Sequence, residues 1–157
     1  MARVASIAYT PPDVERRPED RYARATLGVA RLVADHGIDG DAKAKRGKRQ
    51  INVMLADTIA ELAAEGYRTA PGELGEQLVI TGIAPEEASP GMRLEVGPTA
   101  VIQLGELREP CSRFAAIQGV RAEDAVGRIG FMARVVAGGE IAVGSPVKVA
   151  SAERLHG

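Results

Sequence analysis

Glycine and proline occur 18 and 9 times in 157 residues, and they cut the chain into apolar runs too short for most helices. Short runs rich in β-branched residues and bounded by such breakers read as strands joined by turns. Val4 to Tyr9 reads as a first strand, ended by Pro11-Pro12, and Gln50 to Leu55 and Gln77 to Thr81 as two more. Met92 to Val96 and Thr99 to Leu104 form a pair joined at Gly97-Pro98. Phe131 to Ala137 and Glu140 to Val143 flank Gly138-Gly139, a two-residue hairpin signal. Pro146 to Val149 supplies the last strand.

Helical signals are few. Thr58 and Glu61 have capping-box spacing, Ile59, Leu62 and Ala63 give an apolar face, and Gly66 marks a stop. Ser112 to Gly119 fits a short helix or a loop, and Glu123 to Ala125 a turn. Ala25 to His36 fits helix or strand. Asp13 to Arg24, Asp35 to Asp41 and the basic run Lys43 to Arg49 read as loops. The pattern predicts a mainly β chain with a few short helices (α+β), forming one domain over residues 1–157. Its expected architecture is a partly closed, mainly antiparallel β-barrel or sandwich. With 3 Tyr, 2 Phe and no Trp, its core must be built from Val, Ile, Leu and Ala.

A formal net charge of -1 provides no overall field toward nucleic acid or an anionic membrane. The basic run Lys43, Lys45, Arg46, Lys48 and Arg49 reads either as a solvated loop, the usual outcome for a charge run, or as a phosphate site; with no interleaved aromatics to stack bases, a functional run suits one small anionic ligand better than a polynucleotide. One cysteine excludes an internal disulfide and a thiolate-rich zinc site. No apolar run reaches membrane-spanning length, and Met1 to Thr10 lacks a signal-peptide core. The expected location is cytoplasmic.

That single thiol, Cys111, lies in Arg108-Glu109-Pro110-Cys111-Ser112-Arg113, and Pro110 should place it at a strand-to-loop edge. Spacing alone leaves two readings open. One is a buried structural thiol. The other is a thiolate favoured by Arg108 and Arg113, able to react or to bind a metal. A Cys-His hydrolase would need a base, and only His36 and His156, the latter in a terminal tail, exist. Asp35, Asp39 and Asp41 lack calcium-loop spacing and read as turn residues. Gly72-Glu73-Leu74-Gly75-Glu76-Gln77 reads as a turn.

These pieces, in this order, resemble the MOSC domain, a module of molybdenum cofactor sulfurases that also occurs as small free-standing proteins. The matching stretches are Gly37 to Asp41, Arg49 to Met54, Gly72 to Glu76, Ile80 to Ile83, Pro90 to Leu94, Arg108 to Cys111 and Gly130 to Pro146. The sequence departs from the family at Gln77, where Asn often follows Gly-Glu, and at Ala42-Lys43, where many members carry His. The resemblance implies a β-barrel-like fold whose cysteine faces a pocket. There Cys111 would carry sulfur as a persulfide or ligate molybdenum of a bound molybdopterin, as the catalytic or metal-binding residue. Lys48, Arg49, Arg108 and Arg113 would meet that anionic pterin's phosphate. A pyridoxal phosphate cofactor is not expected, since no aminotransferase-like domain stands in this chain. The implied partners are a sulfur donor or a redox partner protein. Two alternatives follow: a molybdenum-dependent reductase of N-hydroxylated compounds, and a ligand-free interaction module, which a buried Cys111 would favour.

Overall fold

A computed structural model describes residues 1–15 and 17–150. The chain is mainly β with two α-helices. Its larger sheet has the order β11-β7-β8-β9-β5-β6-β1-β2. In chain order these are β1 (Arg3–Tyr9), β2 (Ala25–Thr26), β5 (Ile51–Leu55), β6 (Leu78–Thr81), β7 (Arg93–Val96), β8 (Ala100–Leu107), β9 (Phe131–Ala137) and β11 (Val147–Val149). A smaller sheet has the order β10-β3-β4, from Gly139–Ala142, Val29–Val33 and Gly37–Ile38.

The large sheet curls until its two ends nearly meet. Val4 N donates to Ser145 O at 2.9 Å and Val147 N to Ala2 O at 3.0 Å, so the start of β1 lies beside the entry to β11. This is the partly closed barrel expected from the sequence. Inside it, Ile7, Ile51, Val53, Leu78, Ile80, Leu94, Ile102 and Leu104 pack as one aliphatic core, as the scarcity of aromatics required.

Among the assigned strand pairs, β5 with β6 is parallel and the others are antiparallel. A parallel pair needs a crossover, and α1 (Ala56–Ala64) supplies it. All five residues of β5 are therefore buried. Ile51, Val53 and Leu55 face the barrel core. Met54 faces a second cluster with Leu62, Tyr67, Leu74, Phe114, Ala125 and Ile129 that fastens α1 and α2 (Ser112–Gln118) outside the sheet.

Three sequence expectations need correction, and one open reading is resolved. The helix begins at Ala56, with Leu55 as its uncapped N-terminal neighbour, so Thr58 lies inside the first turn and forms no capping box. Strand β5 runs straight into the helix, leaving no loop for a cap. The glycines 138 and 139 do not make a hairpin: β9 pairs with β5 and β8, while β10 pairs with β3. The ambiguous segment from Ala25 to His36 holds two strands, and the loop read at Asp35 to Asp41 contains β4. Among the described residues, no helix is long and apolar enough to cross a membrane.

Candidate functional site

One cavity of about 280 Å³ opens where β5, the loop before β2, the basic loop and the Cys111 turn converge. That volume lies near the small end of the roughly 300–1,000 Å³ typical of small-molecule sites. Its lining is dominated by cations from three separate segments. The loop before β2 brings Arg17 and Arg24, the basic loop brings Lys43, Lys45 and Arg49, and the Cys111 turn brings Arg108 and Arg113. Glu109 is the one carboxylate among the described lining residues.

Tyr22 organises the guanidiniums. Its ring centroid lies 4.8 Å from Arg113 Cζ, 5.6 Å from Arg108 Cζ and 5.7 Å from Arg24 Cζ. Cations over an aromatic face are attracted to its negative quadrupole. The Tyr22 hydroxyl also accepts from Arg108 Nη2 at 3.1 Å. Burial pushes the Tyr22 phenol upward, and the nearby arginines oppose that shift.

Arg108 is 4% exposed, held between Tyr22 and Phe114, and donates from Nη1 to Leu74 O at 2.6 Å. That carbonyl belongs to the turn from Gly72 to Gln77. The buried Glu76 carboxylate ties this turn together by accepting from Gly72 N at 2.9 Å and Leu74 N at 3.2 Å. Gly75 stands there with φ +84°, and a Cβ on it would lie 2.5 Å from Arg108 Nη2. The turn therefore needs glycine, for its backbone and for the arginine that crosses it. Burial pushes the Arg108 and Arg24 guanidiniums below the ordinary arginine value, Arg49 adding to the effect on Arg108 and Arg108 to that on Arg24. Binding an anion would relieve that strain.

Cys111 begins α2 as its N-terminal cap residue and is exposed. It thus lies at a loop-to-helix junction, four residues past the end of β8 rather than directly at a strand edge. Partial burial pushes its thiol up. The main-chain amides of Phe114 and Arg113 and the charge of Arg108 pull it down, and the net shift is downward. An accessible thiol so placed is suited to act as a nucleophile or a soft metal ligand.

Three buried side-chain atoms among the described residues have no hydrogen-bond partner: Arg24 Nε, Asn52 Oδ1 and Arg108 Nε. All three residues line this cavity. Buried polar groups are normally satisfied, so their concentration here marks where a ligand or bound water completes the structure.

Four of the five residues expected from the sequence meet in the cavity: Cys111, Arg49, Arg108 and Arg113. Lys48 does not line it and lies 3.6 Å from Glu106 in an exposed ion pair. Sequence reasoning missed Arg17, Tyr22 and Arg24 because they lie on a segment without strand or helix pattern. It also missed Asn52, whose signal was present: one carboxamide inside an otherwise apolar strand. Gln77, a departure from the family pattern, lines the cavity and braces Asn52 by accepting from its main-chain N at 2.7 Å. His36 is in the turn before β4 and is not a lining residue, and His156 lies outside the described residues. No cluster of three or more His, Cys, Asp or Glu suited to a metal ion occurs among the described residues.

Comparison with solved structures gives the same architecture. YiiM from Escherichia coli superposes with a TM-score of 0.70 at 20% identity, covering 95% of this chain and 70% of that one. YiiM from Geobacillus stearothermophilus gives 0.73 at 17% identity, covering 96% and 76%. The YUAD protein from Bacillus subtilis gives 0.70 at 19% identity, covering 95% and 96%. A sequence search of curated proteins found no match. The family model of the MOSC domain matches residues 29–148, which hold β5, the Gly72 turn and Cys111 with its flanking arginines, and the chain therefore belongs to the MOSC domain family.

Proposed function

We propose that this MOSC domain binds a molybdenum cofactor, with Cys111 supplying the sulfur ligand and the arginine-rich wall holding the anionic end. The observation that carries this reading is the coincidence of an exposed, thiolate-favouring cysteine with a cavity lined by seven basic residues. The donor set fits: a thiolate suits a thiophilic metal, and guanidiniums suit phosphate. The unpartnered Nε atoms of Arg24 and Arg108 are the donors such an anion would satisfy. When bound, the cofactor would supply oxygen-atom or electron chemistry. The chain's own residues bind it, orient it and hold Cys111 at the rim.

A second reading rests on the exposure of Cys111. In a sulfur carrier the Cys111 thiolate attacks the outer sulfur of a donor persulfide. The donor's S–S bond breaks, the donor departs as a thiolate, and Cys111 keeps the transferred sulfur with no net redox change. Its partner would be a sulfur-donor protein, whereas a cofactor-loaded chain that turns over substrate would need a redox partner.

Metal analysis with intact mass, on protein from a host that makes molybdenum cofactor, separates the two. The expected outcome is close to one molybdenum per chain in the wild type and loss of it in Cys111→Ser. A wild-type chain without molybdenum overturns the cofactor reading, and one added sulfur on Cys111 then supports the carrier. Neither metal nor added sulfur removes both.

A further inference from the structure

The cavity that Cys111 lines is equipped to attract anions and poorly equipped to move protons. No histidine stands among its described lining residues. Burial pushes the Tyr22 phenol upward, so it keeps its proton near neutral pH. The one carboxylate there, Glu109, is exposed. Acyl or hydrolytic chemistry at a thiol needs a base and an acid placed beside it. A reaction between groups that are already ionised needs neither, provided the leaving group departs as a stable anion.

The charge around the thiol supplies what such a reaction does need. Two anions repel as they approach, and that repulsion must be offset where they meet. The described lining sets seven basic residues against one carboxylate. Arg108 is a fixed part of it: it is 4% exposed, lines the cavity, and its Nε has no hydrogen-bond partner. A water molecule would complete that one bond and leave the excess of positive charge in place. The thiol is exposed, and the cavity of about 280 Å³ beside it admits a small oxyanion whole.

We infer that Cys111 takes sulfur directly from a small thiosulfonate-class anion, of which thiosulfate is the simplest, with the cavity's cations receiving the departing sulfite. The inference rests on the sulfur-carrier reading above and replaces its donor protein with a small molecule. The Cys111 thiolate attacks the outer sulfur of thiosulfate. A new S–S bond forms at Cys111, the S–S bond of thiosulfate breaks, and its electron pair leaves with sulfite. No proton moves, and no outside oxidant or reductant is consumed. Charge grows on the sulfite oxygens as the bond breaks, and fixed guanidiniums facing them favour that step. A cysteine persulfide is a poorer match for this site. Its leaving group is an ordinary thiolate, a stronger base than sulfite and slower to depart without a proton donor.

The test is incubation of the full chain with thiosulfate, reading released sulfite and intact mass, beside a parallel incubation with glutathione persulfide. The wild type should release one sulfite per chain and gain one sulfur on Cys111. Added cyanide should remove that sulfur as thiocyanate, restore the thiol and make sulfite release continuous. Cys111→Ser should do none of this. Arg49 is exposed and near enough to Arg108 to lower its guanidinium further, so replacing it tests charge without touching the core. Arg49→Gln should slow sulfite release at least about fivefold while alkylation by uncharged iodoacetamide stays within about twofold of the wild type, and Arg49→Lys should restore most of the rate. Sulfur gained from glutathione persulfide but not from thiosulfate overturns the inference and leaves the carrier reading standing. Sulfur gained from neither removes both. Equal slowing of sulfite release and alkylation in Arg49→Gln also overturns the inference, because the charge then acts on the thiol and not on the donor.

Discussion

Two opposing effects act on the Cys111 thiol. Partial burial favours the neutral form, while the amides of Phe114 and Arg113 and the charge of Arg108 favour the thiolate, and the thiolate side wins. The sign is therefore clear: alkylation of Cys111 should begin at lower pH than for an unperturbed thiol. Arg108→Gln removes a favouring charge and should move the alkylation midpoint to higher pH, slowing the reaction several-fold near neutrality. Arg108→Lys, which keeps the charge, should retain most of the wild-type profile. A midpoint that stays put in Arg108→Gln would mean that the amides alone set the thiol. Both arginines beside Cys111 were legible as candidates because they flank it in sequence. Their different duties were not. Arg108 is a buried strut between Leu74 and Tyr22, while Arg113 reaches back to Pro18 O and Arg21 O.

At the scale of elements, strand runs were legible wherever β-branched residues alternated between breakers, and their pairing was not. The glycines 138 and 139 show why. A two-residue turn of type I′ needs positive φ at both central residues, and neither glycine has it. The chain instead passes from one sheet to the other through a space that admits only hydrogen at Cα. A Cβ on Gly139 would overlap Thr99 Oγ1 and lie 3.0 Å from Ala100 N, and one on Gly138 would lie 2.8 Å from Leu32 O. Gly139→Ala should therefore cost about 1–3 kcal/mol in thermal or denaturant unfolding. A hairpin turn would tolerate alanine poorly for a different reason, backbone strain, so a crystal structure of the variant should show displacement of Thr99 and not a rebuilt turn. The helix start moved for a comparable reason: the pairing of β5 carries the chain into α1 without a loop, and no capping side chain is used.

At the scale of the molecule, the formal charge of -1 conceals a local concentration of basic residues. Seven basic residues converge on one cavity, while most acidic residues lie elsewhere. A cleft lined by one sign of charge concentrates counter-ions and raises association rates. Binding of inorganic phosphate should therefore weaken several-fold between about 0.05 and about 0.5 M monovalent salt, because the Debye length shrinks across that range. Affinity independent of salt in the same titration would show that hydrogen bonds, not the summed charge, hold the anion. Part of that field comes from Arg17 and Arg24, which precede the residues matched by the family model.

The sequence by itself determined the composition of the core, the positions of most strands, the one strong helix and the motif that carries the thiol. Each of these follows from local propensity, apolar spacing or a breaker residue, which act over a few positions along the chain. Only the tertiary structure decided that the sheet curls until β1 reaches β11, that β9 and β10 part company, and that Tyr22 gathers three guanidiniums. It also decided that Lys48 turns away to Glu106 while Asn52 lines the cavity with an unmet acceptor. These outcomes depend on contacts between residues tens of positions apart, where burial and hydrogen-bond completion, not local pattern, set which side chain meets which.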